Sequence, residues 1–194
     1  RRVLFRSKIN KNIHKNITIA LVARMLKDKG IFEFVEAAKI LKKKNIQSRF
    51  LLIGDIDPKN PSSLKTKTLK TWHEKGIIEW LGWIDNIKEI LLETDILCLP
   101  SYREGLPKSL LEGAAIGLPL VTTNTVGCRD IVVDGVNGYL VPVKDSVNLA
   151  LAIEKLISDE DLREKIGKES LKLVVSKFSA KIINSQTISL YNEM

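Results

Sequence analysis

The chain is 194 residues long, is 44% hydrophobic and carries a formal net charge of +8, which predicts a globular domain with a substantial core and acidic partners such as nucleotide phosphates, anionic lipid head groups or nucleic acid. Its apolar runs fall short of the ~20 residues that span a bilayer, and its first residues lack the apolar region of a signal peptide. From these two features we infer a cytoplasmic protein. Its two cysteines, Cys98 and Cys128, fit neither a disulfide framework nor a zinc site and are expected to be unpaired thiols.

Strands and helices are predicted to alternate from residue 17 onward, after a basic, aperiodic segment (residues 1–16) that has the character of a linker or a truncated end. Strands are predicted at residues 17–23, 49–54, 77–82, 94–100, 117–123 and 138–142. Helices are predicted at residues 30–44, 86–93, 146–157 and 159–178. Three more are predicted by one end only: one ends near residue 75, one begins after Pro107 and one begins at Ser179. Continuous Val, Ile and Leu strands alternating with helices indicate a doubly wound parallel sheet. The predicted fold is therefore α/β and Rossmann-like, with about six strands, helices on both faces and a helical C-terminus.

Ligands of such sheets bind beyond the carboxyl ends of the strands, and the segment Glu104-Gly-Leu-Pro-Lys-Ser-Leu-Leu-Glu112 occupies such a position. Pro107 suits the first helical position. The amides around it, which belong to Gly105, Leu106, Lys108 and Ser109, are expected to point at an anion such as a phosphate. Glu104 is expected beside this anion site, and Glu112 in the second helical turn.

The loop after the first predicted strand contains Arg24 and Lys29. A planar guanidinium and a mobile ammonium on the same rim form a suitable pair for a diphosphate. The alternative is that both are ordinary surface cations near the start of a helix.

Two other loops on this rim leave alternatives open. Asp55 and Asp57 match the paired-carboxylate metal signature of many sugar-transfer enzymes, but two carboxylates alone make a weak metal site, and the segment equally resembles a polar loop. Trp83 and Ile84, after the third strand, either line a nucleobase slot or serve packing. Residues 123–130, after the fifth strand, are predicted to form a polar loop.

The combined motifs resemble the retaining glycosyltransferases of family 4, which have the GT-B fold. The matching segments are Arg24-x4-Lys29-Gly30, Glu104-Gly-Leu-Pro with Glu112, Gly117-Leu-Pro-Leu-Val and Asp134-Gly-Val-Asn-Gly-Tyr-Leu-Val. The resemblance covers residues 17–194 and concerns only the carboxyl-terminal, nucleotide-sugar-binding domain of those enzymes. Ala23 departs from the family, which commonly has glycine before the arginine, and Gly54-Asp-Ile-Asp replaces a second glycine.

The resemblance implies a role for each of these residues. Arg24 and Lys29 would hold the donor diphosphate and stabilise the leaving group without a metal or other cofactor, with help from the loop amides. Glu104 would contact the transferred sugar, and Glu112 the ribose. The favoured donor is a UDP-sugar and the expected context is polysaccharide or lipid-linked glycan synthesis. The missing amino-terminal acceptor domain is an implied partner, so this chain alone is expected to be inactive.

Two other interpretations remain open from the sequence. The chain could be a non-catalytic nucleotide-sugar-binding module that a separate acceptor-binding chain completes. A nucleic-acid-binding function rests on net charge alone and is not expected, whereas a peripheral contact with the inner face of an anionic membrane stays open.

Overall fold

The computed structural model describes residues 16–179, 182–185 and 188. Within them, six strands alternate with helices. The strands are β1 (Ile17–Val22), β2 (Ser48–Ile53), β3 (Glu79–Gly82), β4 (Ile96–Leu99), β5 (Leu120–Thr123) and β6 (Gly138–Val141). The helices are α1 (Ile31–Lys43), α2 (Thr66–Glu74), α3 (Ile87–Leu92), α4 (Lys108–Ala115), α5 (Val126–Ile131), α6 (Ser146–Ser158) and α7 (Glu160–Phe178), and a 3-10 turn at Lys27–Lys29 precedes α1.

All six strands form one parallel sheet in the order β3-β2-β1-β4-β5-β6. The longest register joins β1 to β2, from Ile17 opposite Ser48 to Val22 opposite Ile53. The strand order reverses direction between β1 and β4. In a doubly wound sheet this switch point opens a crevice between the two crossover connections, and ligands bind there.

Helices cover both faces of the sheet, and a hydrophobic core fills each side. Because side chains alternate along a strand, Ile19 and Leu21 of β1 join one core, while Ala20 joins the other. The first core also receives side chains of α1, α2 and α6, and the second receives those of α3, α4 and α5. The strands of the sheet centre are buried on both faces, which explains their continuous apolar sequence. The predicted doubly wound α/β fold is therefore confirmed.

The structure departs from the sequence prediction in some local details. Residues 123–130, predicted as a loop, contain helix α5, which is too short for a helical period to be recognised. Cys128 is consequently a buried helical residue. The predicted segment 1–16 lies almost wholly outside the described residues, as does most of the helix predicted from Ser179. Among the helices that the structure describes, none is both long and apolar enough to cross a membrane.

Candidate functional site

The loops that follow β1 and β4 meet at the switch point of the sheet. Gly30 ends the first loop with a φ of 71°, and a Cβ atom at this position would overlap the carbonyl oxygen of Pro100 at the end of β4. The carbonyl of Asp28 accepts hydrogen bonds from the Tyr102 amide at 2.8 Å and from the Ser101 hydroxyl at 3.0 Å. Glycine is required at position 30 because it combines the left-handed conformation with this close approach.

Lys29 and Glu104 form an ion pair across the meeting point of the two loops. Lys29 Nζ donates to Glu104 Oε1 at 2.7 Å, and the two side chains are only 19% and 12% exposed. Both residues were predicted to contact a ligand, and the structure places them against each other on the predicted rim. A charge pair this shielded from water is stronger than one at the open surface.

The backbone just before Glu104 is held from several sides. The Tyr102 hydroxyl donates to Glu33 Oε1 of α1 at 2.7 Å, and the Thr123 hydroxyl at the end of β5 donates to the Ser101 carbonyl. Burial raises the pKa of Tyr102, and the Glu33 carboxylate raises it further, so the phenol remains a hydrogen-bond donor over the physiological range. Glu104 is thus presented from a fixed loop.

Helix α4 begins at Lys108, one residue later than predicted, and Pro107 is its N-cap with an extended ψ of 109°. This corrects the placement of Pro107 at the first helical position, although the proline still closes the loop. Within the described chain, no acceptor is present for the amides of Gly105, Leu106, Lys108 and Ser109. Such unpaired amides at a helix N-terminus attract anions.

A glycine of the neighbouring helix fixes this turn. A Cβ atom at Gly127, near the start of α5, would overlap the carbonyl oxygen of Gly105. The close packing explains the small residue at this point of α5. It also directs the Gly105 carbonyl toward α5.

Glu112 lies in the second turn of α4, as predicted, and its side chain is 34% exposed. Its only ion-pair partner among the described residues is Lys108, 3.5 Å away and 88% exposed. A surface pair of this kind contributes little to stability. The Glu112 carboxylate is therefore accessible to a ligand.

A polar cleft of about 520 Å³ lies between the two loops. Its wall is formed by Arg24, Leu26, Asp28, Lys29, Asn60, Arg103, Glu104 and Gly105. The cations of the cleft each face a carboxylate: Arg24 is 2.8 Å from Asp57, Lys29 is 2.7 Å from Glu104, and Arg103 is 3.6 Å from Asp28. The charges of these pairs cancel, so free amides and unused donors of the cations provide the attraction for an anion.

Trp83 and Ile84 follow the carboxyl end of β3, on the same rim as the cleft. Trp83 is 72% exposed, and its Nε1 donates to Asp85 Oδ1 at 2.8 Å, whereas Ile84 packs partly against the second core. β3 is two strands from β1, a separation of about 10 Å at the usual strand spacing. The exposed indole is thus within reach of a nucleotide whose phosphates lie in the cleft.

The family model described as "Glycosyl transferases group 1" matches residues 5–173. The chain belongs to this family. Its sequence is 33% identical over 185 residues to a capsular polysaccharide biosynthesis glycosyltransferase, CapM, of Staphylococcus aureus, a match that covers 95% of this chain and 48% of CapM. The chain spans about half the length of the curated relatives it matches.

Solved structures show the same fold as this chain. The carboxyl-terminal domain of LpcC, a group 1 family protein from Francisella tularensis, is 30% identical, with a TM-score of 0.75 and coverage of 84% of this chain and 87% of that domain. HepE from Anabaena, solved in complex with UDP, has a TM-score of 0.82 at 22% identity, over 92% of this chain and 49% of HepE. At that identity the second likeness concerns the fold alone.

The structure adds residues to the cleft that were not predicted there, and it gives Asp57, considered above as a metal ligand, a different partner. Asn60 and Arg103 line the cleft, and Asp57 contacts Arg24. The order of the sheet explains Asn60 and Asp57, because β2 is the neighbour of β1 and its loop necessarily borders the first loop. In the described part of the chain, no group of three His, Cys, Asp or Glu side chains could hold a metal ion, and Asp57 pairs with an arginine instead.

Proposed function

We propose that this chain is the carboxyl-terminal, nucleotide-sugar-binding domain of a retaining, metal-independent glycosyltransferase of family 4. The observation that carries the proposal is the geometry of the switch point. There, Arg24 and Lys29 line one wall of a cleft whose other wall includes Glu104 and Gly105 and leads to the unpaired amides of α4.

The donor diphosphate would lie between Arg24, Lys29 and these amides. Arg24 and Lys29 would supply N–H donors to the phosphates, and the amides contribute partial positive charge at the helix N-terminus. Together they would stabilise the negative charge that develops on the leaving diphosphate. The ribose hydroxyls would donate to Glu112, and the nucleobase would lie against Trp83 and Ile84.

Transfer with retention would occur on one face of the sugar. The bond from the anomeric carbon to the diphosphate oxygen breaks as the acceptor oxygen bonds to that carbon from the same side, and the acceptor proton passes to the leaving diphosphate oxygen. This scheme needs no protein nucleophile. Glu104, held by Lys29 at 2.7 Å, would accept hydrogen bonds from the sugar hydroxyls and orient the ring.

The comparisons support particular parts of the proposal. HepE binds UDP, which favours a UDP-sugar as donor, and CapM acts in capsular polysaccharide biosynthesis, which favours polysaccharide or lipid-linked glycan synthesis. The match to a carboxyl-terminal domain supports an amino-terminal acceptor domain as the missing partner. We therefore expect the isolated chain to bind nucleotide but to transfer no sugar.

The test is calorimetric titration of the chain with UDP, GDP and ADP. We expect UDP to bind, and Glu112→Ala to weaken it about tenfold, because the ribose loses a charged acceptor. Glu164→Ala is the matched control. Glu164 forms a similar surface pair with Lys168, 3.4 Å away on α7, and its loss should leave UDP affinity unchanged.

Binding of none of the three nucleotides would contradict the proposal, as would equal effects of the two alanine variants. Sugar transfer by the isolated chain would contradict the assignment as a donor domain only. The coverage of about half of CapM and about half of HepE also fits a separate module that a second chain completes. The coding sequence upstream of Arg1 distinguishes the two, since one enzyme would continue there with about 180 residues of α/β pattern.

A further inference from the structure

Arg24 is bound at one edge of its guanidinium. Its Nη1 donates to Asp57 Oδ2 at 2.8 Å, and the two side chains are 62% and 28% exposed. No other hydrogen bond or ion pair of the Arg24 side chain occurs among the described residues. Its Nε and Nη2 donors therefore remain unused.

Backbone hydrogen bonds join the loop that contains Asp57 to the loop that contains Arg24. The Met25 amide donates to the Asp55 carbonyl at 2.9 Å, and the Leu64 amide donates to the Met25 carbonyl at 2.8 Å. The Asp57 amide itself donates to the Ser63 hydroxyl at 3.0 Å. The backbone of Asp57 is consequently held in place beside the loop of Arg24, whereas the Arg24 side chain is long and 62% exposed.

A second arginine, Arg49, uses the two donors that Arg24 leaves unused. Arg49 donates from both Nε and Nη2 to the two oxygens of Glu79, each at 2.7 Å. That pair uses the planar fork with which an arginine binds a carboxylate or a phosphate. The corresponding Nε and Nη2 donors of Arg24 are unused, and Arg24 lines the polar cleft.

We propose that Asp57 is a positioning residue, which holds Arg24 through Nη1 so that its Nε and Nη2 donors bind the donor diphosphate. The proposal rests on the proposed function, in which Arg24 binds that diphosphate. A long side chain loses conformational freedom when it binds a ligand, and a partner that restrains it beforehand reduces this loss. The opposite role, a counter-ion that the phosphate must displace, predicts tighter binding once Asp57 is neutralised.

The experiment compares UDP affinity in wild type, Asp57→Asn and Asp55→Asn by calorimetry. We expect Asp57→Asn to weaken UDP binding about threefold to tenfold, the range that corresponds to the net contribution of one ordinary hydrogen bond. Asp55→Asn is the matched control. It removes the same charge two positions away, where the carboxylate accepts a hydrogen bond from the Ile56 amide, and its affinity should stay within about twofold of wild type.

A double-mutant cycle separates a role through Arg24 from a general change in structure. In an Arg24→Gln background, Asp57→Asn should cause no further loss of UDP affinity, because the residue it positions is gone. Nitrogen-15 NMR of arginine side chains supplies a readout without ligand. Rotation of the Arg24 guanidinium should be slower in wild type and Asp55→Asn than in Asp57→Asn.

Unchanged or tighter UDP binding by Asp57→Asn would overturn the positioning role, as would a loss that persists in the Arg24→Gln background. In both cases binding by wild type leaves the proposed function intact. Absence of UDP binding by wild type overturns the proposed function, and the positioning role with it. UDP binding by Asp57→Asn therefore tests the positioning role, and UDP binding by wild type tests the proposed function.

Discussion

The amino-terminal and carboxyl-terminal ends of the strands form two opposite edges of the sheet, here called the amino edge and the carboxyl edge, and they use the same kinds of charged residue in different ways. At the amino edge, Arg49 near the start of β2 and Glu79 at the start of β3 join neighbouring strands through two hydrogen bonds. At the carboxyl edge, Lys29 and Glu104 join loops that are distant in the sequence through one hydrogen bond. Arg49 uses its Nε and Nη2 donors for the Glu79 carboxylate, whereas the residues of the carboxyl edge leave hydrogen-bond donors free for a ligand.

The pKa values of the amino-edge pair agree with this comparison. The hydrogen bond to Arg49 holds the pKa of Glu79 below its ordinary value, against the opposing effect of burial. The hydrogen bond to Glu79 likewise raises the pKa of Arg49. Each group is thus stabilised in its charged form by its partner. We infer that the amino edge serves stability and the carboxyl edge serves ligand binding.

The largest expected effect concerns the contact of the two carboxyl-edge loops. Gly30→Ala should destabilise the chain by about 3 kcal/mol, because alanine is strained at positive φ and its Cβ would overlap Pro100. Gly76, in the turn before β3 at the amino edge, is the matched control. Its φ is 59° and a Cβ there would meet no atom within 4 Å, so Gly76→Ala should cost about 1 kcal/mol.

Urea unfolding followed by circular dichroism measures both losses. If the two alanine variants unfold at the same urea concentration, the close approach of Gly30 to Pro100 does not hold the loops together. If Gly30→Ala alone also loses UDP affinity, the contact supports the binding site as well as the fold.

The next effect concerns the shielded pair of the carboxyl edge. Lys29→Ala should lower stability by about 2 kcal/mol, because it leaves the Glu104 carboxylate unpaired at 12% exposure. UDP affinity should fall by about tenfold at the same time, since a phosphate loses a cation. Lys39→Ala is the control. Lys39 bonds to Glu36 at 2.8 Å with side chains 38% and 45% exposed, and its loss should cost less than about 0.5 kcal/mol.

Equal stability losses for Lys29→Ala and Lys39→Ala would mean that the carboxyl-edge pair is no stronger than a surface pair. An unchanged UDP affinity of Lys29→Ala would remove Lys29 from the proposed diphosphate site. Calorimetry and urea unfolding of the same samples distinguish the two results.

The fold was predictable from the sequence because its signals are local. Apolar runs such as residues 17–23 identify buried strands, and the Gly-Leu-Pro turn after Glu104 identifies a loop that leads into a helix. The rule that ligands bind at the carboxyl ends of parallel strands then selects the loops of Arg24 and Glu104. These steps need no knowledge of which side chains touch.

Side-chain partners were not predictable, because they depend on loop geometry between distant positions. Lys29 and Glu104 are 75 positions apart, and Arg24 and Asp57 are 33 apart. No periodic pattern relates such residues. Helix α5 was missed for another reason, since six residues (Val126–Ile131) are too few for a helical repeat to be distinguished from a polar loop.

The smallest effect is expected at the amino edge and depends on pH. Glu79→Gln should cost only about 0.5 kcal/mol at pH 7, because both members of the Arg49 pair are about 40% exposed and water screens them. The pKa of Glu79 is lower in the folded chain than in the unfolded chain, so between the two values the unfolded state binds more protons. The contribution of Glu79 to the free energy of unfolding is therefore complete above its unfolded pKa and is lost as the pH falls through its folded pKa.

Urea unfolding of wild type and Glu79→Gln should show a difference in the free energy of unfolding that shrinks between about pH 5 and pH 3, while UDP affinity at pH 7 is the same for both. A loss of UDP affinity in Glu79→Gln would contradict the division of roles, because it would show that the amino-edge pair also supports the binding site.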